Sequence, residues 1–142
     1  MGFWHYCSPY ASKVTMEKIV YVESRGNPYA IHDDTTGKSY FFDSKNKVIR
    51  IARRLLAEDH NIDMGLAQIN STNMYNFGYG VKDMFNPCLN IRIGSYILYT
   101  FYNKALPLFG GKALFRALEA YNSGSFFGDY DYAMKVWDAL NR

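Results

Sequence analysis

Val22-Glu23-Ser24-Arg25-Gly26-Asn27-Pro28 sets an acid where an amphipathic helix stops and the chain turns sharply. Met16, Ile19 and Val20 precede Glu23 at helical spacing, so the carboxyl extends an apolar stripe and should be partly buried. Burial and the partial negative charge of a helix C-terminus both disfavour the ionised form, and both should raise the pKa of Glu23. A carboxylic acid raised in this way donates a proton near neutral pH, as cleavage of an acid-labile bond such as a glycosidic linkage requires. The plainer alternative is a solvated glutamate at a helix end, one residue out of phase.

Before this stretch, Thr15 reads as the N-cap of the first helix, with Glu17 in its first turn. The helix should end near Arg25-Gly26, ahead of Pro28. Residues 29–42 then read as a small hairpin: Ala30-Ile31-His32, a polar turn through Asp33-Asp34-Thr35-Thr36-Gly37, and Ser39-Tyr40-Phe41-Phe42 returning. Ser44 caps a second helix with the stripe Val48, Ile51, Ala52, Leu55 and Leu56. Its Lys47, Arg50, Arg53 and Arg54 form a solvated face, or the lesser alternative of a contact with an acidic polymer. Asp63-Met64-Gly65-Leu66-Ala67-Gln68-Ile69 places a glycine inside an apolar run, where backbone must approach something closely, a ligand being one candidate. Asn86-Pro87 starts a long central helix carrying Leu89, Ile93, Ile97 and Phe101. Gly110-Gly111 interrupts it. A helix with Leu114, Ala117, Leu118 and Tyr121 follows, closed by Gly124, and a last amphipathic helix runs from Asp131 to Leu140.

The chain has 142 residues, enough for a single domain with a real core and no need of metals. Its 49% hydrophobic and 20% charged residues are those of an ordinary folded protein, while 18% aromatic residues are unusual. Those rings fill a core, or they wall a groove that stacks on sugars or bases. A net charge of +3 is small, so it does not indicate strong nucleic-acid binding, and it is compatible with a mild attraction to an anionic polymer. No run reaches the roughly 18 apolar residues of a membrane span; the nearest, 93–102, is too short. Met1-Gly2-Phe3-Trp4-His5-Tyr6 lacks the basic start and apolar stretch of a signal peptide. It leaves either a protein that is not exported or a mature form with a new start Met. Cys7 and Cys88 do not have metal-ligand spacing, and composition alone leaves two free buried thiols as the plain reading.

Three separated stretches coincide with one family. Glu23-Ser24-Arg25-Gly26-Asn27-Pro28, Gly65-Leu66-Ala67-Gln68-Ile69 and Ala120-Tyr121-Asn122-Ser123-Gly124 resemble the ESxxNP, GLxQI and AYNxG signatures of lytic transglycosylases with a goose-type lysozyme fold. The resemblance spans nearly the whole chain, and three motifs in the right order and spacing are specific where each alone is weak. Asn27-Pro28-Tyr29-Ala30-Ile31, Asn86-Pro87-Cys88 and the early Cys7 look like the small branch that accompanies type IV secretion and conjugation machines. That branch implies a Cys7–Cys88 disulfide, an oxidising compartment, and a periplasmic or otherwise extracytoplasmic protein. The fold implied is α+β and mainly α-helical, lysozyme-like with a small β-hairpin, as one domain over residues 1–142.

By the same resemblance Glu23 is the catalytic acid, assisted by Ser24. Gly65, Leu66 and Gln68 line the sugar groove, and Tyr121 and Asn122 reach Glu23 from the opposite wall. For Gly65 and Gly124, turn geometry alone is an equal alternative, and for Tyr121 a core ring. The implied substrate is the glycan strand of peptidoglycan, cleaved at the MurNAc-GlcNAc β-1,4 bond with formation of a 1,6-anhydro sugar. No metal or cofactor is implied, and the implied partners are components of the secretion or conjugation machine. Ordinary glycosidases use two carboxylates about 5–9.5 Å apart. Asp63, read more simply as structural, is the candidate second acid of a lysozyme-type hydrolase; Asp33, Asp34 and Asp43 are weaker ones, since turns favour Asp for backbone reasons. A non-catalytic glycan-binding assembly protein is the remaining alternative.

Overall fold

A computed structural model describes residues 7–140, so the reading of residues 1–6 lies outside the described residues. The first helix, α1 (Lys13–Ser24), buries Met16, Ile19 and Val20, as the periodicity requires. Its N-cap is Ser12 and not Thr15: the Ser12 hydroxyl accepts from the Thr15 amide at 3.1 Å. Both residues have capping chemistry, and the helix simply begins most of a turn earlier. Arg25 closes α1 in the left-handed conformation (φ 56°) and donates its amide to the Tyr21 carbonyl at 3.1 Å. Asn27 then accepts from the Tyr29 amide at 2.8 Å and donates to the Phe42 carbonyl at 3.3 Å, fixing the exit of α1 to the end of the following hairpin.

That hairpin, β1 (Ala30–Asp33) and β2 (Ser39–Phe41), pairs His32 with Ser39 as the sequence suggests. The sheet is larger than a hairpin, however. After α2 (Lys45–Ala57), β3 (Ile62–Met64) and β4 (Ile69–Asn70) complete a four-stranded antiparallel sheet in the order β2-β1-β3-β4. Strands of three and two residues are too short to announce themselves by alternation. Side chains alternate across a strand, and the register separates two rows. Ile31, Met64 and Ile69 form an apolar row in the core, whereas Ser39, His32, Asp63 and Asn70 form a polar row on the other face.

Two short helices follow, α3 (Ser71–Asn76) and α4 (Val81–Met84), neither foreseen from the sequence. The long α5 (Pro87–Phe109) starts where Asn86 caps it, its side chain accepting from the Leu89 amide at 3.1 Å. Its most buried face carries Asn90, Ile91, Gly94 and Leu98, rotated from the expected stripe, which leaves Leu89, Ile97 and Phe101 partly buried. A 3-10 turn, Gly110–Lys112, leads into α6 (Ala113–Ser123) and, past Gly124 (φ 79°), into α7 (Asp131–Leu140). Here α5 packs on α6, and α7 packs on both α6 and α1. The result is a mainly helical α+β body with a small sheet at one side, consistent with a lysozyme-like fold. Residues 124–130 are pinned by Arg116, which donates to the Phe126 carbonyl at 3.2 Å and to the Tyr130 hydroxyl, and stands over the rings of Phe109 and Tyr130.

Cys7 and Cys88 are joined in a disulfide across a sequence separation of 81. It ties the N-terminal arm to the first turn of α5. Loop closure of that length stabilises the fold by roughly 4 kcal/mol in the chain-entropy account. The protein denatured without reductant is therefore expected to show no titratable thiol, and a Cys7→Ser/Cys88→Ser variant to melt well below the parent. Two reactive thiols in oxidised material, or an unchanged melting temperature, would contradict this.

Candidate active site

A groove of about 880 Å³ runs between the sheet and the helical body. The polar row of the sheet, Ser39, His32, Asp63 and Asn70, forms one wall. Across from it stand Glu23 from the last turn of α1, Ile97 and Phe101 from α5, and Tyr121, Asn122 and Tyr132 from α6 and α7. Lys135 is the one lysine on the lining.

Burial is the main cause that pushes the Glu23 carboxyl up from 4.5 to about 7. The Tyr132 hydroxyl opposes it by favouring the ionised form, and the Asp34 charge adds to it. That hydroxyl is buried and directed at the carboxyl, although the pair falls short of ordinary hydrogen-bond geometry. Asp63 is pushed higher, to about 8, again mainly by burial. Its amide neighbour Asn70, donating at 2.8 Å, pulls the other way, while Asp34 accepts a hydrogen bond from the protonated form and, with Glu23, adds repulsion. The groove thus holds one acid poised near neutral pH and a second carboxyl on the facing wall whose ionisation burial also disfavours.

Several residues expected around the groove sit elsewhere. Ser24 is 1% exposed and donates to the carbonyls of Val20 and, at 2.8 Å, Leu66, so it locks the end of α1 to the 65–68 turn. Leu66 is a core side chain. Gly65 is not among the groove-lining residues: at φ 80° a Cβ would run into the Asn90 side chain and the Met84 carbonyl, so the missing side chain makes room for Asn90. Tyr121 lines the groove, but its hydroxyl donates to the Ala67 carbonyl at 2.8 Å. Burial keeps that phenol well above its ordinary range, with the Glu23 and Asp63 charges adding. Gln68 lines the groove while its amide donates to the carbonyls of Gly65 and Ala30, closing the turn at a left-handed φ of 54°. Asn122 stands exposed on the lining, and Gly124 serves the helix end, since a Cβ there would touch nothing.

Among the weaker acids, Asp33 is wholly buried, pairs with His60 at 2.7 Å and accepts from the Thr35 amide, which makes it a turn-building residue. Asp43 lies outside the groove, whereas Asp34 is on its lining. Tyr132 and Asn90 went unread in the sequence. Tyr132 carried one signal, its place in the first turn of the last amphipathic helix; Asn90 carried another, a polar residue on the apolar stripe with Ile93 and Gly94. Among the described residues there is no cluster of three or more His, Cys, Asp or Glu able to hold a metal ion, and no helix is long and apolar enough to cross a membrane.

The chain is 31% identical to Protein virB1 of Agrobacterium fabrum, over 99% of this chain and 59% of that protein. It is 35% identical to the Type IV secretion system protein virB1 of Brucella abortus, over 87% of this chain and 53% of that one. It thus spans little more than half the length of these relatives. No solved structure matches it. The family described as Transglycosylase SLT domain matches residues 7–131, a span that takes in Glu23, the 65–68 turn, Asn90 and Tyr121. With the acid, the turn behind it, Asp63, Tyr121 and Asn122 inside that match, the chain belongs to the transglycosylase SLT domain family.

Proposed function

We propose that residues 1–142 act as one lysozyme-like domain, a peptidoglycan lytic transglycosylase working outside the cytoplasm for a type IV secretion or conjugation apparatus. The observation that carries the reading is the placement of one buried acid, Glu23, at the end of α1 on the groove of an SLT-domain chain, its carboxyl pushed up to about 7 by burial. A single acid that gives and then recovers one proton works best near its own pKa. In the proposed sequence the Glu23 proton passes to the oxygen leaving from the MurNAc-GlcNAc bond as the C–O bond breaks, while the N-acetyl oxygen of the same MurNAc stabilises its anomeric carbon. The MurNAc 6-hydroxyl then attacks that carbon, and its proton returns to the Glu23 carboxylate. A 1,6-anhydro ring closes and no water is consumed. Tyr132 holds the carboxylate between the two transfers, and the exposed Asn122 and the aromatic faces of Phe41 and Phe101 meet the sugars.

A hydrolase with Asp63 as second carboxylate is favoured by one observation, the place of Asp63 on the groove wall within reach of the Glu23 charge. The burial that disfavours its ionised form argues against it, since a two-carboxylate mechanism needs that group ionised. Mass spectrometry of the soluble products from purified peptidoglycan separates the readings. The expected product ends in 1,6-anhydroMurNAc, lighter by one water than a reducing end. Reducing ends that vanish in Asp63→Asn would assign the hydrolase, and binding of sacculi with no product would assign a non-catalytic glycan-binding role.

A further inference from the structure

The outer face of α5 carries an aromatic cluster that the groove chemistry does not use. Tyr96 and Tyr99 lie one turn apart on a face that looks neither into the core, where Leu98 points, nor into the groove, where Ile97 and Phe101 point. Tyr10, three residues beyond the disulfide, meets the Tyr96 ring edge-on at 5.1 Å and the Tyr99 ring at 5.8 Å, and Phe77 meets Tyr96 at 6.0 Å. These four rings remain 38–42% exposed. The Tyr96 contacts with Tyr10 and Phe77 are edge-on and those of Tyr99 are tilted, so none of the rings stack face to face and part of each ring stays open. Isolated surface aromatics are ordinary, but contiguous ones that touch one another mark a contact surface.

The cluster is continuous with the groove. Asn73 of α3 lines the groove, and the Phe77 amide donates to the Asn73 carbonyl at 2.9 Å, so Phe77 stands one helical turn further along. A chain leaving the groove past Asn73 meets Phe77 first, then Tyr96 and Tyr99. We propose that this ridge is an accessory binding site for the same glycan strand, stacking on the apolar faces of pyranose rings while the tyrosine hydroxyls bond sugar hydroxyls; it rests on the reading of the groove as a glycan site. The ridge carries ring faces and phenolic hydroxyls, which suit the apolar face and hydroxyls of a sugar, and the exposed Arg92 flanks it one turn before Tyr96 on the same face of α5. A polymer longer than the groove has to be held beyond it.

The test is retention on purified sacculi by co-sedimentation, with Glu23→Gln as the parent so that nothing is cleaved. Adding Tyr96→Gln and Tyr99→Gln is expected to weaken retention about tenfold, the size of effect that loss of an aromatic anchor produces. Tyr96→Phe with Tyr99→Phe keeps the rings and should keep most of the retention, which also controls for folding alongside a melting curve. With Glu23 intact, the double glutamine variant should cleave short soluble glycan fragments as the unaltered protein does, because both residues lie off the groove. Unchanged retention of the glutamine variant would overturn the accessory site while cleavage of fragments left the groove reading standing. A dimer of the unaltered protein that dissociates in that variant, with retention unchanged, would give the ridge to a second copy. Failure of the unaltered protein to cleave, together with failure of Glu23→Gln to bind, would overturn both readings.

Discussion

Glu23→Gln is expected to lower cleavage of peptidoglycan by about 10³-fold or more while the protein melts no lower than its parent at pH 7. The amide occupies the same space beside Tyr132 but has no proton to give to a leaving oxygen. The stability half of the expectation follows from the direction of the pKa shift. Burial first, and the Asp34 charge after it, raise the carboxyl from 4.5 to about 7, against the pull of Tyr132. The folded state then binds the proton more tightly than the unfolded chain, so stability falls as pH rises through that window. Below about pH 4 the group is protonated in both states and contributes nothing. Above about pH 7 its ionised form costs on the order of 3 kcal/mol. The melting temperature of Glu23→Gln should therefore match the parent near pH 4 and exceed it at pH 8. Cleavage by the parent, which needs the protonated acid, should decline as pH rises above about 7. A clear loss of stability at pH 8, or activity retained, would make Glu23 a structural anchor instead.

What the sequence showed and hid divides along the range of the forces involved. The end of α1 at Glu23, the hairpin turn, the Asn86-Pro87 start and the Gly124 stop all rest on chemistry within a few residues, and all were legible. The second half of the sheet was not. The pairing of β3 depends on a partner in β1 far away in sequence, β4 is only two residues long and pairs with β3, and an apolar run with one glycine carries no alternation. For the same reason the polar row that makes one wall of the groove was invisible: Ser39, His32, Asp63 and Asn70 meet only through register. The motif residues were found, but their contacts differ from those expected. Tyr121 reaches the Ala67 carbonyl across 54 residues, Ser24 reaches the Leu66 carbonyl across 42, and the group left facing Glu23 is Tyr132. Two of the three motifs thus brace the main chain of the third, which explains why Gly65-Leu66-Ala67-Gln68-Ile69 matters although Leu66 and Gly65 stay off the groove.

Asn90→Leu is expected to cost more stability than any other single substitution considered, and to disturb the groove without touching it. Asn90 is wholly buried and spends its whole amide on main chain: its Nδ2 donates to the carbonyls of Met64 and Met84, both at 2.8 Å, and its Oδ1 accepts from the Ala67 amide at 2.7 Å. Leucine has nearly the same volume, so the change removes hydrogen bonds and leaves little cavity. Three hydrogen bonds to buried main chain are then lost, at about 1–3 kcal/mol for each group left unpaired, for a total on the order of 4 kcal/mol. In a chain of this size that lowers the melting temperature by roughly 10–20 °C. The Ala67 carbonyl that anchors Tyr121 and the Leu66 carbonyl that anchors Ser24 belong to the turn Asn90 holds, so loosening it moves both walls around Glu23 at once. Where the variant stays folded at low temperature, its cleavage rate should fall while the pH at which activity declines moves with the altered burial of Glu23. A melting temperature within about 3 °C of the parent would mean that other bonds hold the turn. Preserved cleavage with lowered stability would separate the clamp from the chemistry.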